Sequence, residues 1–543
     1  MDCAICLEPI KSNQVLLDCN HNFHIECIKK WIIISNRDNK NCPMCRSTIS
    51  KKYPELYTLT IDNTVIIIKK KMYLRNELMF VNIPNSVQII EEGAFFGNNI
   101  ENISFPDSIQ SIGKNSFADN KLKNIKFGNN IEFIERSAFS DNNIRELNIP
   151  DSVTSLGMYS FHNNELKNLK LSNSLELIET NCFSHNYLQN IHIPNNVTNI
   201  CDNAFSNNQI QTINFHDRVY QIGEGAFQYN SLRYLTLPLN LEIIEYQSFM
   251  NNKIMNLYLP ESIEMIEAEA FMNNKIKSLE MHDNVYRIDE KAFKNNLISE
   301  LKLSNDLIMI DEQCFRNNLL TRLKLPFSIE IISAKAFQNN CLVEVELPIN
   351  IETIETKAFA DNKIENIYFP ESLREISEEA FMNNRLNHIK IPFRIDKIKR
   401  RSFYNNFIIY INFSYNIKHI ESEAFAYNRL KYLTIPDSIK KIDKGCFSNN
   451  LLEYVYFSKR IKIIPEEAFR YNNIVDLNIS ENIVRIKKYA FANNSIMNLF
   501  IPNTVKMIED YAFYYNPIIS IKISRNTICG RNAFHEGINI IYY

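Results

Sequence analysis

Phenylalanine recurs at positions 95, 117, 139 and onward to 513 at a constant step of 22, in a chain with 35 Phe among 543 residues. A fixed period of that length restricts the chain to an array of stacked units, each too small to bury its own apolar side. The residue before each of these phenylalanines is Ala, Ser or Cys, so a small side chain is required there. Three residues after each stands asparagine, from Asn98 through Asn516. Positions 5 and 8 after the Phe are aliphatic, position 10 is apolar and often followed by Pro, and aliphatics return at positions 14 and 17. The unit reads AF-x2-N-x-L-x2-L-x-L-P-x2-V-x2-I.

The alternation at the end of L-x2-L-x-L predicts a short strand, stopped by the Pro, and V-x2-I predicts a second extended segment. Stacked neighbours bury what one unit cannot, at roughly 1.5–3 kcal/mol per large side chain. The asparagine is expected to satisfy turn backbone groups in every coil, forming a ladder. This unit resembles leucine-rich repeats of the BspA-like class, which implies a β-rich solenoid. Upstream the register runs through Tyr73 and Asn76 to Leu56, Leu59 and Ile61, and downstream it slips by one at Phe534. The expectation is about 22 coils of 22-residue period over residues 51–543.

Residues 1–50 obey no such period. Six of the 12 cysteines lie here, in the order Cys3, Cys6, Cys19, His21, His24, Cys27, Cys42, Cys45. The spacing is C-x2-C-x12-C-x-H-x2-H-x2-C-x14-C-x2-C. Structural zinc takes four thiolate or imidazole ligands, and a C-x2-C pair supplies two from one turn. Eight ligands imply two closed sites, and so short a segment needs the metal to fold.

The order and spacing resemble the RING finger in its variant with two histidine ligands, a small zinc-bound α+β module. The resemblance implies two zinc ions in interleaved sites: Cys3, Cys6, His24 and Cys27 for one, and Cys19, His21, Cys42 and Cys45 for the other. It also implies a ubiquitin-conjugating-enzyme groove formed by Ile5, by Trp31 (the chain's one tryptophan) and by Pro43. Arg46 takes the position of the basic residue that holds the ubiquitin thioester in reactive geometry, without a covalent bond to the ligase. A guanidinium fork suits that task better than an ammonium point charge. The fourteen residues between Cys27 and Cys42 exceed the usual length, and the polar surplus around SNRDNKN is expected to form a loop after the helix.

The other six cysteines are scattered. Cys182, Cys314 and Cys446 occupy the small-residue slot before the Phe and are expected in the core, with Cys341 exposed in a turn and unpaired. On the solenoid's sheet face, positions 6, 7 and 9 carry Lys123, Lys126, Arg145, Lys167 and Lys170 early. Glu280, Glu300, Glu344, Glu346 and Glu365 follow, and then Tyr410, Tyr432, Tyr454 and Tyr456. The tyrosines are the preferred substrate-binding patch, because rigid amphipathic rings favour interfaces.

A net charge of −2 and a pI near 6.6 argue against nucleic acid as the main partner. No run approaches the roughly 18 apolar residues of a membrane span. Cys3 follows Met1 and Asp2 directly, which leaves no room for a signal peptide. The expected setting is intracellular, cytoplasmic or nuclear. Together these features imply a RING-type ubiquitin-protein ligase whose partners are a ubiquitin-charged conjugating enzyme and a protein substrate held by the repeats. The junction has no Gly or Ser run, so the two parts are expected in constrained geometry. The other reading is a non-catalytic or adhesive repeat scaffold with a structural RING, and self-association at the final strand's edge accords with either.

Overall fold

The computed structural model describes residues 2–34 and 41–543; most of the polar segment SNRDNKN lies outside the described residues. The chain divides into two compact units, Met1–Ser262 and Ile263–Tyr543.

The first unit opens with a small α+β module. β1 (Gln14–Leu16) pairs antiparallel with β2 (Asn22–His24), and α1 (Ile25–Ile34) follows directly. A 3-10 helix, Pro54–Tyr57, then leads into β3 (Thr58–Thr60), the first strand of the repeat array. β3 pairs parallel with β4 (Phe80–Asn82), with Leu59 opposite Val81. From there each coil repeats the same path.

Within both units a coil contributes two strands. In the first, Asn102–Ser104 pairs parallel with Asn124–Lys126, and Ser111–Ile112 with Phe133–Ile134. In the second, Ser278–Glu280 pairs with Glu300–Lys302, and Met309–Ile310 with Ile331–Ile332. The three-residue strand centres on the first aliphatic of L-x-L, as at Ile103, and the two-residue strand ends on the isoleucine of V-x2-I, as at Ile112. The structure is a parallel β-solenoid of about 22 coils with a period near 22 residues.

The phenylalanine corner forms a third ladder, which the sequence did not announce. Asn115, Phe117 and Asp119 donate their backbone N–H groups to the carbonyls of Arg136, Ala138 and Ser140 in the next coil. Alternate residues bond along the stack because the residues two before and two after the Phe are left-handed, as at Asn115 (φ 53°) and Asp119 (φ 56°). The same pair recurs at Lys291 and Asn295, and at Lys335 and Asn339. A left-handed non-glycine residue costs about 1–2 kcal/mol, and inter-coil hydrogen bonds offset it.

Inside the corner the rings stack. Phe161 and Phe183 lie 5.7 Å apart and 3° from parallel, and Phe293 and Phe315 lie 5.7 Å apart and 2° from parallel. Coils spaced about 4.8 Å apart give such centroids an offset, the arrangement ring quadrupoles favour. All four rings are fully buried. Beside them runs the asparagine ladder. Asn318 donates through Nδ2 to the carbonyls of Phe293 and Phe315 at 3.0 and 3.1 Å, and its Oδ1 accepts the Ile298 N–H at 3.0 Å. The side chain thus satisfies buried backbone groups that the strands leave unpaired.

In the turn after the three-residue strand, carboxylates in several coils cap the matching turn of the next coil. Asp151 accepts the Asn173 N–H at 3.0 Å and Asp283 accepts the Asn305 N–H at 3.0 Å. These backbone bonds, helped by the same asparagines' side-chain amides, hold both carboxyl groups below the usual carboxylate range. A depressed folded-state pKa stabilises above the unfolded value of about 3.9 and is lost as pH falls through the folded one. Asp283→Asn is therefore expected to lower the melting temperature at pH 6–7 and to converge on the parent only as the pH falls below the ordinary carboxylate range. A gap that persists at low pH would show that the charge is not the cause.

No helix among the described residues is long and apolar enough to cross a membrane.

Candidate functional site

Two turns of the same construction frame the N-terminal module. Over residues 3–8, Cys3 donates its N–H to Glu8 O at 2.9 Å and Leu7 donates to Cys3 O at 2.8 Å. Over residues 42–47, Cys42 donates to Ser47 O at 2.8 Å and Arg46 donates to Cys42 O at 2.9 Å. Leu7 and Arg46 are both left-handed, at φ 65° and 62°. Isolated antiparallel bridges, Asp2 with Pro9 and Asn41 with Thr48, close the two turns. Each turn thereby holds two thiols toward the same point.

The hairpin and helix bring the rest. Cys19 and His21 sit in the β1–β2 connection, His24 ends β2, and Cys27 lies in the first turn of α1. The structure gathers Cys3, Cys6, His24 and Cys27 into one group and Cys19, His21, Cys42 and Cys45 into a second. In each, the ligand atoms lie within 4.8 Å of one another, and these are the two such groups among the described residues. A tetrahedral zinc ion with Zn–S of about 2.3 Å and Zn–N of about 2.0–2.1 Å needs sulfur–nitrogen edges of about 3.5 Å. Cys6 Sγ lies 3.4 Å from His24 Nδ1, and Cys42 Sγ lies 3.5 Å from His21 Nδ1.

The thiol acidities agree with that fit. Burial pushes Cys3 up, but backbone hydrogen bonds from His24, Cys6 and Ile5 outweigh it and bring the thiol down to about 6. Hydrogen bonding with Ser47 brings Cys45 to about 6. Burial, reinforced by the neighbouring thiols, pushes Cys27 up to about 11, and burial likewise takes Cys19 to about 11. Each group holds one thiol that ionises readily beside one that resists, as crowded like charges must. A divalent cation removes that conflict, so the donor sets fit one zinc ion each.

The surface around these groups is apolar in places. On α1, Ile28 and Ile32 are buried, whereas Trp31 is 41% exposed and donates its indole N–H to Asn41 O at 3.2 Å. Ile5 and Pro43 are half-buried and Arg46 is exposed. Two further exposed apolar residues belong to the same turns: Leu7 and Met44. Sequence reading passed over both, although each directly adjoins a cysteine ligand position.

On the solenoid face, Glu280, Glu344 and Glu346 pair with Lys302, Arg322 and Lys324 on neighbouring strands at 2.5, 3.3 and 3.8 Å. Early in the array Lys123 and Arg145 likewise pair with Glu101 and Glu165. The aromatic end is open. Tyr410, Tyr432, Tyr454 and Tyr456 are all exposed, and the rings of Tyr432 and Tyr454 stack at 5.9 Å. Cys182, Cys314 and Cys446 are fully buried, and burial raises their thiols, Cys182 to about 12. Cys341 is half-buried, less exposed than expected; its thiol is free and takes a hydrogen bond from Lys363 Nζ at 3.7 Å.

Comparison with known proteins matches the chain to two families. The family model described as Ring finger domain matches residues 1–46. The model described as BspA type Leucine rich repeat region (6 copies) matches residues 50–167, 154–275, 220–343, 330–453 and 418–541. The first 50 or so residues are similar to E3 ubiquitin-protein ligase RNF128 of Xenopus laevis, 43% identical over 51 residues, 9% of this chain and 12% of that one. They are also similar to RING-H2 finger protein ATL79 of Arabidopsis thaliana, 46% identical over 57 residues, 10% of this chain and 32% of that one. The chain thus spans a third or less of the length of these relatives. Among solved structures, YopM from Yersinia enterocolitica WA-314 aligns with 95% of this chain and 98% of its own, at 17% identity and a TM-score of 0.43. With repeat matches running from residue 50 to residue 541, the chain belongs to the BspA type leucine-rich repeat family and carries a Ring finger domain at its N terminus.

Proposed function

We propose that the chain is a RING-type ubiquitin-protein ligase, with the RING over residues 1–50 and a substrate-holding solenoid over residues 51–543. The observation that carries this reading is the exposed Trp31 on a helix whose Ile28 and Ile32 are buried, in a module whose two Cys/His groups each fit a zinc ion. The printed name of the Xenopus relative, an E3 ubiquitin-protein ligase, supports the same reading for the RING stretch. The setting is a reducing one, cytoplasmic or nuclear.

In this reading Ile5, Trp31 and Pro43 grip a ubiquitin-charged conjugating enzyme, and Leu7 and Met44 extend the apolar rim. Zinc is structural: it ties the two turns to the hairpin and helix. The chemistry belongs to the bound enzyme's thioester. A substrate lysine amine attacks the thioester carbon, the carbon–sulfur bond breaks, the thiolate leaves and the amine gives up a proton as the isopeptide bond forms. Arg46 acts by position, because its left-handed backbone, fixed by the bond to Cys42 O, aims a multi-donor fork outward. Restricting the thioester to near-attack geometries is the whole contribution, and misplacement by about 1 Å can cost on the order of 100-fold.

The test is ubiquitin transfer in vitro by the full chain with a panel of conjugating enzymes. Ile5→Ala and Arg46→Ala are each expected to lower transfer by on the order of 100-fold with both zinc ions retained. No transfer by the parent protein with any partner, at full zinc content, would sink the reading. It would leave a protein-binding or adhesive scaffold in which the RING is structural.

A further inference from the structure

The boundary between the RING and the solenoid is not a surface between two cores. One apolar cluster contains Val15, Leu17, Phe23, Ile28 and Ile32 of the module, the ligand-group residues Cys3 and Cys42, and Leu56 and Tyr57 of the first coil. Tyr53 and Met79 pack against it, partly buried. Leu56 stands at an inward repeat position, so its burial is ordinary. Tyr57 does not. It occupies position 6 of the repeat, where Lys123, Arg145 and Lys167 are exposed, yet it is 2% exposed. The second coil has Met79 at the same position, and charged side chains begin only at Glu101. Apolar residues return at position 6 in later coils, where Ile409, Val475, Met497 and Ile519 are exposed, so the burial of Tyr57, and not its residue type, marks the seam.

Polar contacts fix the same seam. The Tyr57 hydroxyl donates to Ile49 O at 3.3 Å, and the Tyr53 hydroxyl donates to Asp18 Oδ1 at 3.0 Å. Lys52 pairs with Asp18, and Lys51 with Glu77 at 3.3 Å. Tyr57 O accepts the Met79 N–H at 2.9 Å, which passes the restraint to the second coil. The repeat consensus is also broken here. The phenylalanine slot of the first coil holds Lys51 and its asparagine slot holds Pro54, neither of which could extend the ring stack or the asparagine ladder.

We infer that the first two coils complete the RING, and that Tyr57 and Met79 are positioning residues locking the module at one orientation on the coil stack. The metal-held module is the solenoid's N-terminal cap, and order in residues 54–82 depends on it. The consequence for lysine choice rests on the ligase reading: a conjugating enzyme docked at Trp31 addresses one stretch of whatever the repeats hold.

Hydrogen exchange on the full chain, followed by mass spectrometry, tests the cap without reference to activity. Chelation with 1,10-phenanthroline is expected to speed exchange over residues 54–82 by about 10-fold or more and to leave residues 160–240 unchanged. Tyr57→Ser and Met79→Ser should each speed the same segment by about 10-fold with both zinc ions still bound, while Tyr57→Phe stays near the parent. A segment 54–82 indifferent to chelation overturns the shared cap. The second arm maps self-modified lysines in a ubiquitin transfer assay. Tyr57→Ser should spread the modification over more lysines at a total rate within about 2-fold of the parent, since position and not chemistry is altered. An unchanged lysine pattern overturns the positioning role. Absence of transfer from every variant removes the ligase reading, and with it the claim about lysines, whereas the exchange result still decides the cap.

Discussion

Removing zinc is expected to unfold the RING outright and to abolish its interaction with any conjugating enzyme. The reason lies in the composition of its core. Cys3 and Cys42, one from each ligand group, are themselves buried members of the apolar cluster, at 0% and 1% exposure. Losing the ions therefore does more than cut two cross-links: it leaves crowded, unligated sulfur atoms inside the core they share with Phe23 and Ile28. A segment this short buries too little apolar surface to fold alone, and a structural zinc site supplies about 10–16 kcal/mol of apparent binding free energy that doubles as folding free energy. Trp31, the single tryptophan, is the natural probe when excited beyond the absorption of the 26 tyrosines, because its indole is fixed by Asn41 within the module. Its emission should shift to the red on chelation and return when zinc is restored. Cys42→Ser should show the shifted spectrum from the start. An unshifted spectrum in protein shown to be metal-free would mean that the apolar cluster and the first coils suffice to hold the fold.

How far the sequence anticipated this architecture depends on whether a feature imposes a side-chain requirement. The ring stack and the asparagine ladder were legible because only Phe fills the one and only Asn offers both a donor and an acceptor at the right reach, as Asn318 does. The third ladder was not. Its left-handed residues include Lys291, Lys335 and Tyr489, types with no special preference for that conformation. The requirement falls on the backbone, which inter-coil hydrogen bonds enforce whatever the side chain. Ion pairing on the sheet face was not legible for a related reason. Glu344 and Arg322 are 22 positions apart in the chain, but the register sets them side by side. The two Cys/His groups were visible as a spacing, whereas the exposure of Leu7 and the burial of Tyr57 were not. Those two follow from which neighbours cover them, and a pattern confined to the module or to the repeat contains no information about the seam.

The other large effect is expected deep in the solenoid. Phe315 stacks on Phe293 at 5.7 Å and on Phe337 at 5.6 Å, and its carbonyl accepts from both Asn318 and Asn340. Phe315→Ala deletes a fully buried ring between two others, a change that costs about 3–5 kcal/mol because the coils are held at a fixed spacing and cannot collapse into the void. Asn318→Ala attacks the same coil through polarity. It strands the Ile298 N–H and removes one donor each from the Phe293 and Phe315 carbonyls, at about 1–3 kcal/mol per buried group left unpaired. The Phe293 carbonyl still has Asn296, and Phe315 still has Asn340, so the N–H is the true orphan and the asparagine substitution should cost less than the ring deletion. In a solenoid each coil contacts only its neighbours, so stability is close to a sum of local terms. Both variants should therefore open hydrogen exchange over roughly residues 290–340 and leave coils near residue 450 protected. The ring deletion should open that segment by the larger factor, and Phe315→Leu should recover most of the loss. Uniform deprotection from residue 263 to the end would instead mean that the second unit unfolds as one cooperative body, and that the ring stack acts as a continuous spine and not as a chain of neighbour contacts.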